Sequence, residues 1–130
     1  MARAHNPATA NCAQAALCPS CSPPVINPAA PPDSLAAFGD TYTQTVGALR
    51  ELGASLNRLG LSFSNLAQLR ALLVGDPALG NRMDSEGFSK AYAEFFGTAE
   101  NPHLVARTRL QVIGLVNPGW LVELETIAVR

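Results

Sequence analysis

The sequence predicts an α+β domain in which two helices cover one face of a β-sheet. Two stretches carry apolar residues at three- and four-residue spacing, the period of a helix with one buried side. Three other stretches are short and rich in Leu, Val and Ile, which favours strands. The chain has 130 residues, of which 48% are hydrophobic, so it can build one core.

Both predicted helices begin at an aspartate and end near a glycine. The first runs from about Asp40 to Leu59, with Asp40 as the N-cap and Gly60 after its end. The second runs from about Asp84 to Phe96, with Gly97 as its C′ residue. The second helix has an aromatic stripe, predicted to be core rather than a ligand cage: Phe88, Ala91, Tyr92, Phe95 and Phe96.

A first strand is predicted from Asn65 to Val74, although the spacing of Leu66 to Leu73 also fits a helix. Two more strands are predicted at Leu104–Leu115 and Trp120–Val129. The sequence between them, Asn117-Pro118-Gly119, strongly favours a turn, so we expect the two strands to form an antiparallel hairpin.

Charged side chains interrupt these last two strands. Strand alternation places Arg107, Arg109 and Gln111 on one face of the first, and Glu123 and Glu125 on one face of the second. We expect both mixed faces to lie opposite the helices. A face with large apolar residues and embedded charges suggests a subunit interface.

The first 35 residues are rich in Ala, Pro and Asn, which favours loop or extended chain. They hold the three cysteines Cys12, Cys18 and Cys21. Cys18 and Cys21 form a CxxC that could bind zinc, with His5 and Cys12 as further ligands, or exchange thiols. The prolines after Cys21 disfavour a redox helix, so we interpret the thiols as incidental, in a loose segment, and predict no metal site.

Composition excludes two further classes of partner. The formal net charge is -1, the pI is about 6.1 and Lys90 is the single lysine, so no basic surface for nucleic acid is expected. No apolar run reaches the roughly 18 residues of a membrane span. The N-terminus has no continuous apolar stretch typical of a secretory signal, which predicts a cytoplasmic protein.

Five local strings stand out in the predicted order helix, strand, helix, hairpin. They are Val74-Gly75-Asp76-Pro77-Ala78, Tyr92-Ala93-Glu94-Phe95-Phe96, Ala106-Arg107-Thr108, Asn117-Pro118-Gly119-Trp120 and Val122-Glu123-Leu124-Glu125-Thr126-Ile127-Ala128. In this order and spacing, over about residues 23–130, the chain resembles the Rid/YjgF family of reactive enamine/imine deaminases.

This resemblance implies a chorismate-mutase-like mixed β-sheet with two helices on one face, assembled as a homotrimer. The implied reaction is hydrolysis of 2-aminoacrylate and related enamines or imines to 2-keto acids and ammonia, in clefts between subunits. The implied ligand is a small 2-imino or 2-keto acid, and neither a metal nor an organic cofactor is implied. The alternatives are a trimeric carboxylate-binding or chaperone-like protein without hydrolysis and, less favoured, an endoribonuclease or translation inhibitor.

Four residues match site positions of the family. Arg107 matches the arginine that holds the substrate carboxylate, a task suited to a planar guanidinium. Glu123 matches the glutamate associated with the hydrolytic water. Thr108 follows the arginine where the family often has Ser or Thr, and Ser89 stands where many members have Asn. For both we expect substrate binding. An ion pair across an interface is the alternative role of Arg107 and Glu123, and Arg109 is interpreted as an interface or solvent residue.

Two expectations complete the prediction. In the expected hairpin, Arg107 and Glu123 lie about six residues apart, roughly 20 Å, so one site would need Arg107 of one subunit and Glu123 of another.

The family begins with a hairpin containing Ser-Gly-Gln, which residues 1–22 do not match. We therefore divide the chain into a divergent segment, 1–22, and a Rid/YjgF-like domain, 23–130. A replaced or lost leader would make a periplasmic location the alternative.

Overall fold

The protein folds as a four-stranded mixed sheet with its helices on one side, in a computed structural model that describes residues 16–17 and 21–130. The sheet order is β1-β4-β2-β3. Its strands are β1 (Ala16–Leu17), β2 (Leu66–Val74), β3 (Ala106–Val112) and β4 (Val122–Ala128). The helices are α1 (Leu35–Phe38), α2 (Thr41–Arg58) and α3 (Ser85–Tyr92), with short 3₁₀ turns at Phe63–Asn65 and Pro77–Leu79.

The predicted helices are both present. Asp40 caps α2 by accepting a hydrogen bond from the Thr43 N–H at 2.8 Å, and Asp84 caps α3 in the same way from the Gly87 N–H at 2.8 Å. Helix α3 ends at Tyr92, earlier than predicted, and the chain continues in turns to Gly97, whose φ is 70°. The glycine was therefore correctly placed after the helix, but the last predicted turn is not α-helical.

The core lies between the helices and the buried face of the sheet. Leu49, Leu52 and Leu56 of α2 are almost fully buried, as predicted by their spacing. They pack in one cluster with Leu69 and Leu73 of β2, and the aromatic stripe of α3 joins the same cluster. Burying this apolar surface is the main favourable term that fixes the helices on the sheet.

The predicted hairpin is wrong. β3 and β4 do not pair with each other, because β2 lies between them, parallel to β3 and antiparallel to β4. The connection from β3 to β4 is instead held against the start of α2. Gln44 donates to the carbonyl oxygens of Gly39 and Gly119 and accepts from the Leu121 N–H at 2.7 Å. Asn117 donates to the Pro32 carbonyl oxygen at 3.0 Å.

The face predicted for Arg107 is also wrong. Arg107, Arg109 and Gln111 do share a face of β3, but they pair in register with the buried residues Leu69, Ala71 and Leu73 of β2, so that face is the helix side. The charges are tolerated there because β3 is an edge strand whose side chains are exposed from Ala106 to Gln111. For β4 the prediction is confirmed, since Glu123 and Glu125 lie on the side opposite the helices.

The N-terminal segment contributes to the sheet where it is described. Ala16 and Leu17 pair with Ala128 and Ile127 of β4, and Cys21 exchanges two backbone hydrogen bonds with Leu124. Cys21 is only 6% exposed and belongs to the core, so the interpretation of this thiol as part of a loose segment is wrong. The other residues of the suggested thiol sites, His5, Cys12 and Cys18, lie outside the described residues.

Within residues 16–17 and 21–130, no helix combines the length and apolar character needed to cross a membrane. The cytoplasmic location stays a prediction. The division of the chain at residue 22 also stays a prediction, although the pairing of Cys21 with β4 ties that part of the segment to the domain.

Candidate functional site

The side chain of Arg107 lies over the aromatic stripe of α3. Its guanidinium carbon is 4.1 Å from the centre of the Tyr92 ring and 6.0 Å from the centre of the Phe88 ring. Both rings are buried. The face of an aromatic ring attracts a positive charge, and this attraction does not use the N–H groups of the guanidinium as hydrogen-bond donors. The rings therefore hold Arg107 in place without consuming its hydrogen-bond donors.

Arg107 has no acceptor within the described part of the chain. The one ion pair there joins Arg70 to Glu125 at 3.0 Å, on the other face of the sheet. An intramolecular ion pair of Arg107 with Glu123 or Glu125 is thus absent from residues 16–17 and 21–130. An exposed arginine that is fixed by rings and lacks an anionic partner is well suited to grip a carboxylate through two parallel hydrogen bonds.

Arg109 lies next to Arg107 on the same face. Its Nη1 donates to the Ser89 hydroxyl oxygen at 2.9 Å and, more weakly, to the Ser85 carbonyl oxygen at 3.4 Å. The structure thus brings Ser89, one of the predicted substrate-binding residues, to Arg109, the neighbour of Arg107 on this face. The Ser89 hydroxyl holds the second arginine, a contact that sequence spacing did not indicate.

Gln111 completes this row of side chains along β3. Its amide accepts from the Met83 N–H at 2.9 Å and donates to the Asn81 carbonyl oxygen at 2.9 Å. These bonds tie the loop before α3 to the edge strand. Moving along β3 from Arg107 to Gln111, the contacts move backwards from Tyr92 through Ser89 to Met83, so α3 lies alongside the strand.

Thr108 and Glu123 lie on the opposite face of the sheet. Thr108 is in register with Arg70, and Glu123 is in register with Leu72 two residues further along β2. Glu123 is half-buried and Thr108 is exposed. The four predicted site residues therefore form two groups, with Arg107 and Ser89 on the helix side and Thr108 and Glu123 on the open side.

One chain does not bring Arg107 and Glu123 together. Arg107 is opposite Leu69 and Glu123 is opposite Leu72, on the two sides of β2. Three residues along the strand and two strand spacings across it give roughly 14 Å between their Cα atoms, with the side chains on opposite faces. The hairpin distance of about 20 Å was worked from a wrong pairing, but the two residues are separated all the same.

Sequence reasoning missed the second role of Tyr92. Its aromatic spacing predicted a core residue, and it is one, at 6% exposed, stacked on Phe96 with ring centres 4.4 Å apart. Its hydroxyl also accepts from the Val105 N–H at 3.3 Å, next to the start of β3. A tyrosine in an otherwise phenylalanine-rich stripe was the available signal that one edge of the cluster is polar.

A second polar cluster lies between α2 and α3 and contains none of the predicted site residues. Tyr42 donates a hydrogen bond to the Glu94 carboxylate, and the Lys90 ammonium lies 5.1 Å from the centre of the Tyr42 ring. The bond to Glu94 raises the pKa of the Tyr42 hydroxyl above its usual 10.0. Tyr42 and Glu94 line a surface groove of about 350 Å³, together with Arg50 and Glu51.

Metal binding has no support in the described residues. No group of three or more His, Cys, Asp or Glu side chains in residues 16–17 and 21–130 is placed to hold an ion. The two halves of the candidate site contain arginine, hydroxyl and carboxylate groups, which bind and activate organic acids and water directly.

Solved structures share this architecture. A member of the YjgF/YER057c/UK114 family from Mycobacterium tuberculosis superposes with a TM-score of 0.60 at 21% sequence identity, over 88% of this chain and 77% of that one. The fold is that of the Rid/YjgF family. The fold resemblance predicted from the sequence is thereby confirmed.

Two further solved structures are similar to this chain. A protein of unknown function from Pseudomonas aeruginosa is 30% identical over 71% of this chain, with a TM-score of 0.59, and this chain spans 59% of its length. TdcF from Escherichia coli, solved with bound serine, is 24% identical over 71% of this chain and 66% of its own, with a TM-score of 0.59. No family model and no curated protein sequence matches the chain.

Proposed function

We propose that this Rid/YjgF-fold protein hydrolyses reactive 2-imino acids, and the enamines in equilibrium with them, to 2-keto acids and ammonia. The observation that carries the proposal is the state of Arg107, which is exposed, lies over the Tyr92 ring and has no anionic partner among the described residues. Such a group is a ready carboxylate clamp, and every substrate of this class has a carboxylate next to the reacting carbon.

The reaction needs a bound acid and a positioned water. Arg107 would hold the carboxylate of the substrate. The adjacent C=N carbon would then have a fixed position relative to the water that attacks it. A carboxylate within one water of that carbon would orient the water and take its proton as the oxygen attacks. Both protons of the water end on the nitrogen, the C–N bond breaks, ammonia leaves, and the water oxygen becomes the keto oxygen. Glu123 is the residue we assign to this water.

We further propose that the site forms between subunits of a homotrimer. In one chain, Arg107 and Glu123 lie on opposite faces of the sheet, so a cleft that holds both requires Arg107 from one copy and Glu123 from another. Thr108 lies on the same face as Glu123, so it would contact the substrate from that second copy. Ser89 would support the arginine side.

The bound serine of TdcF supports the ligand class. Serine carries the same carboxylate and adjacent amino-substituted carbon as a 2-imino acid, and TdcF shares the fold of this chain. The separation of Arg107 from Glu123 also favours a second candidate, a protein that binds 2-keto acids without hydrolysing their imines. The two candidates differ only in whether the carboxylate of Glu123 reaches the ligand.

The test is the decay of 2-aminoacrylate, generated from serine by a pyridoxal-phosphate dehydratase. Wild-type protein should accelerate the decay. Arg107→Ala should lower kcat/KM by about 10- to 100-fold, the value of a lost charged hydrogen-bond pair. The control Arg58→Gln removes an exposed arginine of α2 whose one side-chain partner in the described part of the chain is Ser55, and should leave the rate unchanged. No acceleration by wild type, with pyruvate still bound through Arg107, would establish the binding protein instead.

Mixing two inactive variants tests the shared site. Arg107→Ala and Glu123→Gln proteins, unfolded together and reassembled at equal amounts, should regain about one quarter of wild-type activity. In a ring of three, each mixed trimer holds one cleft with both native residues, and about three quarters of trimers are mixed. No recovery in such mixtures, or a monomer by sedimentation, would refute the inter-subunit site.

A further inference from the structure

The two arginines on the edge strand form a larger anion-binding site than one carboxylate needs. Arg107 and Arg109 are two residues apart on the same face of β3, about 6.6 Å along the strand. Both are exposed, and neither has a carboxylate partner among residues 16–17 and 21–130. Two adjacent like charges repel each other, and an anion that spans both would relieve that repulsion.

The second arginine is held by two oxygen atoms of α3. Ser89 and the Ser85 carbonyl bind only the Nη1 atom of Arg109, so its remaining N–H groups have no acceptor in the described part of the chain. The guanidinium is thus fixed at one corner, and its other edge is available to a ligand.

Gln111 limits how far such a ligand extends. Both ends of its amide are occupied by the backbone of Met83 and Asn81, so the row of available donors stops at Arg109. The Tyr92 ring lies beneath Arg107 at the other end of the row. The available donors therefore cover the length of a short molecule with an anionic group at each end.

We propose that the preferred substrates are short 2-imino dicarboxylic acids, such as 2-iminosuccinate, with Arg107 on the carboxylate next to the imine and Arg109 on the distal carboxylate. This inference rests on the proposed function and narrows its substrate class. Water adds to the C=N carbon, ammonia leaves, and the product is a 2-keto dicarboxylic acid. The distal carboxylate takes no part in bond breaking, so Arg109 sets specificity.

Paired substrates test this assignment. Hydrolysis of 2-iminosuccinate and of 2-aminoacrylate is compared for wild type, Arg109→Gln, Ser89→Ala and the control Arg58→Gln. Wild type should favour the dicarboxylate by about tenfold or more in kcat/KM, and Arg109→Gln should remove that preference and leave 2-aminoacrylate hydrolysis within about twofold. Ser89→Ala should reduce the preference severalfold because Arg109 loses its hydroxyl acceptor.

Two results would overturn the inference. Equal kcat/KM for both substrates in wild type would show that Arg109 does not read a second carboxylate. An equal loss for both substrates in Arg109→Gln would show that both arginines grip the same carboxylate.

If neither substrate is hydrolysed, the proposed function fails, and titration calorimetry with succinate and propionate then decides the ligand class alone. Tighter succinate binding that depends on Arg109 would support the dicarboxylate site, and equal binding would refute it.

Discussion

Replacing the ring beneath Arg107 should weaken substrate binding without slowing the chemical step. In Tyr92→Leu the guanidinium loses the ring 4.1 Å below it. A cation over an aromatic face gains about 0.5–1 kcal/mol at exposed sites and about 2 kcal/mol when desolvated. Arg107 is exposed, so a loss of about 1 kcal/mol is expected, a rise of roughly fivefold in KM. The arginine holds the carboxylate equally in ground and transition states, so kcat should stay unchanged.

The same substitution also removes packing, and this effect must be measured separately. Tyr92 is 6% exposed and stacks on Phe96, so its replacement by leucine should cost about 1–3 kcal/mol of folding free energy. With an unfolding entropy of about 2.1 cal/mol/K per residue, this corresponds to a fall in Tm of roughly 4–11 °C for a chain of this length. Kinetics must therefore be measured well below the Tm of every variant.

Two matched variants separate affinity from packing. Tyr92→Phe keeps the ring and loses only the hydroxyl that accepts from the Val105 N–H at 3.3 Å, so its KM should stay within about twofold of wild type. Phe63→Leu removes a ring of the same aromatic cluster that packs on Phe95 and Phe96, so it should lower the Tm and leave KM unchanged. An unchanged KM in Tyr92→Leu, or an equal rise in Phe63→Leu, would refute the role of the ring.

Three further predictions concern the frame around the site. Asp84→Ala removes the acceptor for the Gly87 N–H at the start of α3, and should cost about 1 kcal/mol, or roughly 4 °C in Tm by circular dichroism; an unchanged Tm would contradict the cap. In Gly75→Ala the new Cβ would overlap the Asn81 carbonyl, and a loss of about 1–3 kcal/mol is expected in urea unfolding, with Gly114→Ala, whose Cβ meets no neighbour, as the control. Equal stability of the two variants would show that the Asn81 loop moves freely. The pKa of Tyr42 is raised by its bond to Glu94, so the stability from that bond is present below pH 10 and is lost as pH rises through the higher folded pKa. In Glu94→Gln, ultraviolet titration should show the pKa of Tyr42 returning toward 10.0. Superimposable titration curves for wild type and Glu94→Gln would contradict the assigned cause.

Features set by local chemistry could be predicted from the sequence. Asp40 and Asp84 cap the two helices, the leucine stripe of α2 is buried, and β2 ends before Gly75. Each depends on residues within a few positions of one another, so periodicity and capping are sufficient.

The pairing of the last two strands depends on distant residues and was not predictable from the turn between them. Asn117-Pro118-Gly119 does turn the chain, but Gln44, more than seventy residues earlier, binds Gly119 and Leu121 and directs the chain toward the far side of β2. Each of the three backbone groups that this buried glutamine satisfies would cost about 1–3 kcal/mol if left unpaired, so the contacts of Gln44 stabilise the observed path of the chain.

Strand alternation grouped the site residues correctly but assigned Arg107 to the wrong face. The alternation of side chains along a strand shows which residues share a face, but only their burial shows which face is turned toward the core. In a central strand a charge on the helix side would be excluded, as Leu69 and Leu73 of β2 illustrate. At the edge strand β3 a charged side chain on the helix side can remain exposed to solvent, because the helices do not fully cover it.

The corrected face changes what an assembled site requires. Were Arg107 and Glu123 on the same open face, two copies stacked through that face could join them directly. With Arg107 on the helix side of an edge strand and Glu123 on the open side, the open face of one copy must meet the β3 edge of the next. Such a contact can repeat around a closed ring, in which each copy contributes its β3 edge to one cleft and its open face to the next. The trimer proposed above is one assembly of this kind.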